Sequence, residues 1–255
     1  MSLTSILLAE KPWKACWLAV ILGMGLLQPV HGQTSGSPSL EEIYARVIAS
    51  PLRTDDDRQA DARRQPMAFL KFSGAGPGMN VLDVDTGGGY ATQLLALAVG
   101  SSGTVWAQAD KLRPAFLKRM AEHPQANIIA AALPYEDPVP QGANALDLIT
   151  IIMNYHDIAF MPVDRAKMDR RLFDALKPGG HLVLIDHSAK PGSGTTVTKS
   201  LHRIEEQTVL EEFQRAGFKL EAESADYRNP ADSRELPFFK MDAPSDKFAL
   251  RFVKP

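Results

Sequence analysis

The sequence predicts an α/β protein built on a doubly wound sheet, mostly parallel, with an antiparallel C-terminal edge. Between Asn80 and Ile185, short apolar runs of strand length alternate with segments of helical periodicity, and parallel strands need such crossovers. The run Gly87-Gly88-Gly89 follows the first of these strands and opens the next helix. Such a turn lets backbone N–H groups approach a ligand. Two late apolar runs, at 219–224 and 247–253, have a long irregular segment between them and pair as the antiparallel edge.

The elements follow in order. Lys11 and Lys14 precede an apolar run at 15–27, and small and polar residues follow around Val30 and Gly32, the layout of a secretory signal peptide over residues 1–32. The run is shorter than the roughly 20 residues that span a bilayer core. An exported, periplasmic product without a permanent membrane span is therefore expected. Cys16 is the only cysteine and falls in the removed segment, which leaves no thiol for a disulfide, a metal or a nucleophile. Residues 33–72 read as a leader and a helical lid. In the lid, Ser39 and Glu42 make a capping box ahead of Ile43, Val47 and Ile48, and Pro51 stops that helix. The stretch 54–64 is charged at almost every step and reads as a solvated helix, and Pro66 interrupts it before an apolar stretch at 67–72.

Residues 73–255 carry the main domain. Strands are expected at 81–84, 104–108, 127–131, 146–153 and 181–185, with helices at 90–99, 114–123, 163–176 and 205–216. Hydrophobic residues at 45% and charged residues at 23% suit a packed core. A net charge of −2 offers no basic excess for a phosphate backbone, so nucleic acid is not an expected partner.

The run Val81-Leu82-Asp83-Val84-Asp85-Thr86-Gly87-Gly88-Gly89 resembles the first motif of class I S-adenosylmethionine-dependent methyltransferases, an acid at a strand end followed by glycines. Leu146-Asp147-Leu148-Ile149 before Asn154-Tyr155-His156-Asp157 resembles that family's fourth strand and active-site turn. Leu176-Lys177-Pro178-Gly179-Gly180 resembles the turn before its fifth strand. More narrowly, Tyr155-His156-Asp157, the segment 185–194, Leu201-His202-Arg203-Ile204 and Arg228-Asn229-Pro230-Ala231-Asp232 resemble a subgroup of exported bacterial predicted methyltransferases. The resemblance covers about residues 51–255. It implies the Rossmann-like class I methyltransferase fold, S-adenosyl-L-methionine as cofactor, and a cofactor site at Asp83, Asp85, Gly87, Gly88, Gly89, Tyr90 and Asp110. In it Asp83 supports the amino-acid part of the cofactor. Asp85 stands where the family has its first glycine, and Arg53 is a candidate to balance its charge. Asp110 lies one residue beyond the place of the ribose-binding acid, and Ala130-Ala131-Ala132 lacks the acid that meets the adenine. Thr92 occupies the third position of a dinucleotide fingerprint, which disfavours NAD.

Ligands of such sheets bind outside the carboxyl ends of the strands. His156 and Asp157 follow the fourth strand, and Asp186 and His187 end the fifth, so two imidazole–carboxylate pairs are expected in one cleft. An imidazole titrates near 6.5 and suits general base work. His156 or His187 would take a proton from an acceptor hydroxyl or amine, with activity rising through the histidine range. The catalytic set is His156, Asp157 and His187, and the substrate set is Asn154, Tyr155, His202 and Arg203. No metal ligands are assigned, although His156, His187 and His202 with Asp157 or Asp186 also suit Zn or Fe. The segment 190–194 reads as a loop able to cover the cleft, and 228–232 as a turn. Two functions of different class fit: an exported methyltransferase acting on a small or surface-exposed acceptor, or a non-catalytic small-ligand-binding protein that retains the fold. N-terminal sequencing of the exported protein is expected to begin near Gln33; a product that still began at Met1 or Ser2 would overturn the signal-peptide assignment.

Overall fold

Three helices precede the sheet: α1 (Leu40–Ile48), α2 (Asp55–Arg64) and α3 (Pro66–Ser73). The computed structural model describes residues 38–255; the predicted signal peptide with Cys16, and most of the leader, lie outside the described residues. The capping box of α1 is present, with the Glu42 N–H donating to Ser39 Oγ and the Ser39 N–H to the Glu42 carboxylate. An equivalent box, Thr54 with Asp57, starts α2.

The α/β alternation then runs β1 (Asn80–Val84), α4 (Tyr90–Val99), β2 (Thr104–Ala109), α5 (Pro114–Glu122) and β3 (Ile128–Ala132). It continues through β4 (Leu146–Ile152), α6 (Tyr155–Phe160), α7 (Arg165–Ala175) and β5 (Leu176–His187). After α8 (Thr198–Leu201) and α9 (Glu206–Arg215) come the edge strands β6 (Lys219–Glu223) and β7 (Lys247–Val253). The order across the sheet is β3-β2-β1-β4-β5-β7-β6. Its first five strands are parallel, and β7 inserts antiparallel between β5 and β6. The predicted turn at 177–180 becomes a register break inside β5, because Leu146 pairs with Leu176 while Leu148 already pairs with His181.

The central strands β1, β4 and β7 and the second half of β5 are buried on both faces, so their side chains alternate between two cores. Val81, Val105, Leu148, Val183 and Ala249 pack under α1, α3 and α4, with Tyr44, Val47, Phe69, Leu70, Leu94 and Leu95. Leu82, Ile149, Leu182, Leu184 and Phe252 pack under α6, α7 and α9, with Ile158, Met168, Leu172, Val209 and Phe213. Helices α1 and α3 therefore share the main core, while α2 buries only Asp57. Among the described residues no helix is long and apolar enough to cross a membrane.

The α4–β2 turn depends on close approach at Gly103, where a Cβ would stand 2.6 Å from both the Met79 carbonyl oxygen and the Val99 Cβ. Gly103→Ala is expected to cost on the order of 1–3 kcal/mol by overpacking, read as a lower urea midpoint at unchanged m-value. An unchanged midpoint would refute this account of the turn.

Candidate active site

The strand order reverses between the parallel neighbours β1 and β4, since the chain leaves β1 towards β2 and leaves β4 towards β5. A cavity of about 150 Å³ sits there, lined by Arg64, Asp83, Asp85, Arg113, Asn154 and the glycine turn among others. Asp85 and Met153, the first residues beyond β1 and β4, both have left-handed backbone, φ 52° and 60°. Such geometry is uncommon outside glycine and concentrates at functional sites. Asn154 ties the two strand ends together, its side-chain N–H donating to the Asp85 carbonyl at 2.5 Å.

Asp83 organises the turn from beneath. Its carboxylate accepts from Thr92 of α4 at 2.6 Å and from Thr150 of β4 at 2.7 Å, and Thr86 meets Thr92. Burial raises its pKa to about 6 against the lowering effect of these bonds. Gly87 and Gly89 adopt φ 58° and 84°. A Cβ on Gly89 would press at 3.0 Å on Phe116 and Arg119 of α5, so this glycine serves helix packing. Asp85 is buried and raised in pKa by burial, partly offset by Arg113 at 3.8 Å and by Tyr135.

The charged helix α2 forms the cover of this cavity. Asp57 takes two bonds of 2.7 Å from Arg119, and Asp61 accepts from Tyr90 Oη at 2.6 Å and from Arg53. Burial would raise Asp57, but Arg119 and Thr54 outweigh it and hold it low. Arg64 lines the cavity above the Tyr90 ring, 5.1 Å from its centroid. Burial lowers its pKa, and among the described residues no carboxylate lies within ion-pair distance of it. A guanidinium left in that state favours an incoming anion.

Beyond Asn154 lies an imidazole cluster. The rings of His187 and His202 each stand 5.6 Å from that of His156, edge to face. Asp186 accepts from the His156 N–H at 2.8 Å and meets His156 Nδ1 at 2.6 Å. Asp157 meets His202 Nδ1 at 2.9 Å and lies 3.3 Å from His156 Nε2. Burial pulls the His156 pKa down, but Asp186, Asp157 and Asp85 outweigh it and the net shift is upward. His187 bonds Ser245 Oγ through Nδ1 at 2.7 Å and stacks on Phe238 at 3.8 Å. Its pKa is driven well down by burial and then by His156, Lys247 and Arg203.

Asp85, Gly87, Gly88, Tyr90 and Asn154 line the cavity, and His156, Asp157, His187 and His202 gather in one cluster. Several expectations are corrected. Tyr155 is wholly buried, with its hydroxyl bonded to Glu212 at 2.8 Å, and Arg203 is wholly buried against Asp232, Ser188 and Leu236. Both hold the fold together and touch no cleft. Asp110 is exposed and accepts from the Lys111 N–H, outside the cavity lining. Asp83 lines the cavity too, and each of its oxygens accepts from a threonine, so it braces the turn as well as facing the site. Arg53 pairs with Asp61; Arg113 approaches Asp85 in its place. The carboxylates are exchanged relative to sequence order: Asp186 serves His156, and Asp157 serves His202. The two histidines flanking Asp186 shift in opposite directions, which removes the single titration expected near 6.5.

Arg64, Arg113, Arg119 and Asp57 were not singled out. A signal existed for α2: Asp57, Asp61 and Arg64 recur at i, i+4 and i+7, one face of a helix. A charged helix with such a face can close over a polar cavity as readily as it can face water.

No family model matches the chain. Among curated proteins it is similar to a ubiquinone/menaquinone biosynthesis C-methyltransferase of Cronobacter sakazakii, with 30% identity over 174 residues, 64% of this chain and 62% of that protein. It is also similar to a protein of the same name from Shewanella sediminis, with 31% identity over 129 residues, 47% of each. The chain thus spans about half to three fifths of the length of these relatives. Among solved structures it is similar to an S-adenosylmethionine-dependent methyltransferase from Aquifex aeolicus, with TM-score 0.58 and 19% identity over 86% of this chain and all of that one. The N-methyltransferase NodS of Bradyrhizobium japonicum, solved with S-adenosylhomocysteine, has TM-score 0.54 and 19% identity over 84% of this chain and 98% of that one. The chain has the class I S-adenosylmethionine-dependent methyltransferase fold, and its curated relatives are methyltransferases. The same fold occurs in the 4+2 cyclase SpnF, with TM-score 0.57 and 15% identity over 86% of this chain and 97% of that one.

The Asp83 pKa carries a pH signature. A carboxyl raised from 3.8 to about 6 on folding stabilises the fold below 3.8 and loses that contribution as pH rises to about 6. Thermal melts of Asp83→Asn are therefore expected to lose less stability between pH 4 and pH 6 than those of the parent. Parallel pH profiles would show that Asp83 is not protonated in the fold.

Proposed function

We propose that this chain is an exported S-adenosyl-L-methionine-dependent methyltransferase acting on a small acceptor with an apolar portion. The observation that carries the reading is the cavity at the sheet's switch point. It combines the Arg64 guanidinium, which has no carboxylate partner among the described residues, with a buried carboxylate at Asp85, a set of charges that fits the carboxylate and ammonium of an amino-acid group. Gly87 and Gly88 line it with backbone and small surface, which allows close approach. When bound, the cofactor supplies an electrophilic methyl group on a sulfonium. Arg64 would hold its carboxylate, Asp85 its ammonium, and α2 would act as the lid that excludes water. Export rests on the apolar run at 15–27 and its flanks.

The acceptor side is assigned to the mouth of the imidazole cluster, which begins two residues beyond Asn154. Phe160, Leu236 and Phe239 expose large apolar surfaces, and the rings of Phe160 and Phe239 stand 6.1 and 5.3 Å from that of His202. Such a rim suits an apolar or aromatic acceptor. Methylating a hydroxyl or amine releases one proton, and the reading assigns its uptake to His187. In the tautomer whose Nδ1–H donates to Ser245 Oγ, Nε2 keeps a lone pair that has no hydrogen-bond partner among the described residues.

Calorimetry with S-adenosylmethionine and S-adenosylhomocysteine tests the cofactor assignment. Both are expected to bind the parent. Arg64→Ala should bind them roughly 10- to 100-fold more weakly while staying folded, since a hydrogen bond to a charged group contributes about 1.5–3 kcal/mol. Absence of heat with either ligand would leave a ligand-binding protein of this fold as the better account. His187→Ala is expected to lower kcat by roughly 10²–10⁴ with little change in cofactor affinity; an unchanged kcat would remove His187 from proton transfer.

A further inference from the structure

We propose that His156, Asp157 and His202 form a binding site for one first-row divalent transition-metal ion of the Zn²⁺ or Fe²⁺ class. One ligand atom from each of the three residues lies within 4.8 Å of the other two. Asp157 Oδ1 stands 3.3 Å from His156 Nε2 and 2.9 Å from His202 Nδ1. Ligand atoms about 2.0–2.2 Å from a common ion stand about 3–3.5 Å apart at tetrahedral or octahedral angles, so the two separations to Asp157 already suit an ion, and the two imidazoles close on it from within 4.8 Å.

The orientation of His156 is the second argument. Asp186 meets Nδ1 at 2.6 Å and also accepts from the His156 N–H. A carboxylate in that place fixes the tautomer and turns Nε2 into a bare lone pair, as behind metal-ligating imidazoles. That Nε2 is buried and has no hydrogen-bond partner among the described residues, yet it faces a carboxylate oxygen. Two acceptors at that distance repel unless a cation or a proton lies between them. A proton satisfies only that one pair, whereas a metal ion also engages His202.

The donor set points to the ion. Two nitrogens and one carboxylate oxygen favour Zn²⁺ or Fe²⁺ over Mg²⁺ or Ca²⁺, which take oxygen ligands. Asp157 and His202 are only half-buried, so further coordination positions open towards the rim at Phe160 and Phe239. An ion there would place an acceptor oxygen, nitrogen or sulfur beside the cleft. His187 is not a ligand in this arrangement, because the set of mutually close ligand atoms holds only His156, Asp157 and His202.

The proposal is independent of the cofactor reading, and its test needs no cofactor. Untagged, chelator-treated protein is titrated with Co²⁺, followed by visible absorption, and with Zn²⁺ by calorimetry. The expected result is one equivalent of each, with Zn²⁺ displacing Co²⁺. Asp157→Ala and His202→Asn, the latter chosen because asparagine tolerates the left-handed backbone at that position (φ 49°), should each weaken binding by 100-fold or more. Circular dichroism would confirm that both stay folded. Asp186→Asn should retain the ion with about 10- to 100-fold lower affinity. His181→Gln, at the surface beside Glu221, should leave the stoichiometry unchanged. No binding by the parent, or undiminished binding in both ligand variants, would overturn the site and leave a proton between His156 and Asp157. Either result would stand whether or not S-adenosylmethionine binds.

Discussion

The site depends on one buried carboxylate. Asp83 lies at the end of β1, opposite Thr150 in the register of β4, and accepts hydrogen bonds from β4 and from the first turn of α4. Strand, neighbouring strand and helix are thereby fixed around the glycine turn. The alternative to these bonds is an unsatisfied charge in the interior, which is costly. The upward shift of Asp83 shows that burial still exceeds what two threonines return. The carboxylate thus shapes the cavity while its own oxygens are occupied.

Around that anchor, both strands at the switch point end in strained backbone. Asp85 and Met153 take left-handed conformations, and Asn154 bonds across to the Asp85 carbonyl. The chain can turn sharply at both strand ends, so cofactor cavity and imidazole cluster lie side by side, joined by the short segment 153–157. The strain is offset by the packing beneath it, where Leu82, Ile149 and Leu184 fill one core and Val81, Leu148 and Val183 the other. The second wall comes from far earlier in the chain. Asp57 and Asp61 anchor α2 to Arg119 and Tyr90, and this leaves Arg64 over the cavity with no carboxylate partner among the described residues.

The imidazole cluster shows how tertiary packing reassigns neighbours in sequence. His156 and Asp157 are consecutive, as are Asp186 and His187, but adjacent residues at a strand end or in a helical turn point in different directions. Asp186 crosses to His156 on the next element, and Asp157 turns out to His202. His187 is left with Ser245 and the face of Phe238. Three histidines of one cleft thereby acquire three environments.

The sequence by itself determined the α/β class, the succession of elements and the glycine turn, because these follow from local periodicity, capping and backbone freedom. The helix at Tyr90–Val99 and the strand at Lys247–Val253 lie where the apolar pattern puts them. It also brought His156, His187 and Asn154 towards one region, since strand ends of a parallel sheet share an edge. Only the tertiary structure decided which carboxylate meets which imidazole, that Tyr155 and Arg203 are structural, and that Arg64 of a charged helix faces the cavity. These outcomes depend on side-chain direction and on contacts between residues tens of positions apart, 62 for Arg119 with Asp57 and 45 for His202 with Asp157. No local pattern encodes such contacts; they are settled when burial forces every buried charge to find a partner in three dimensions.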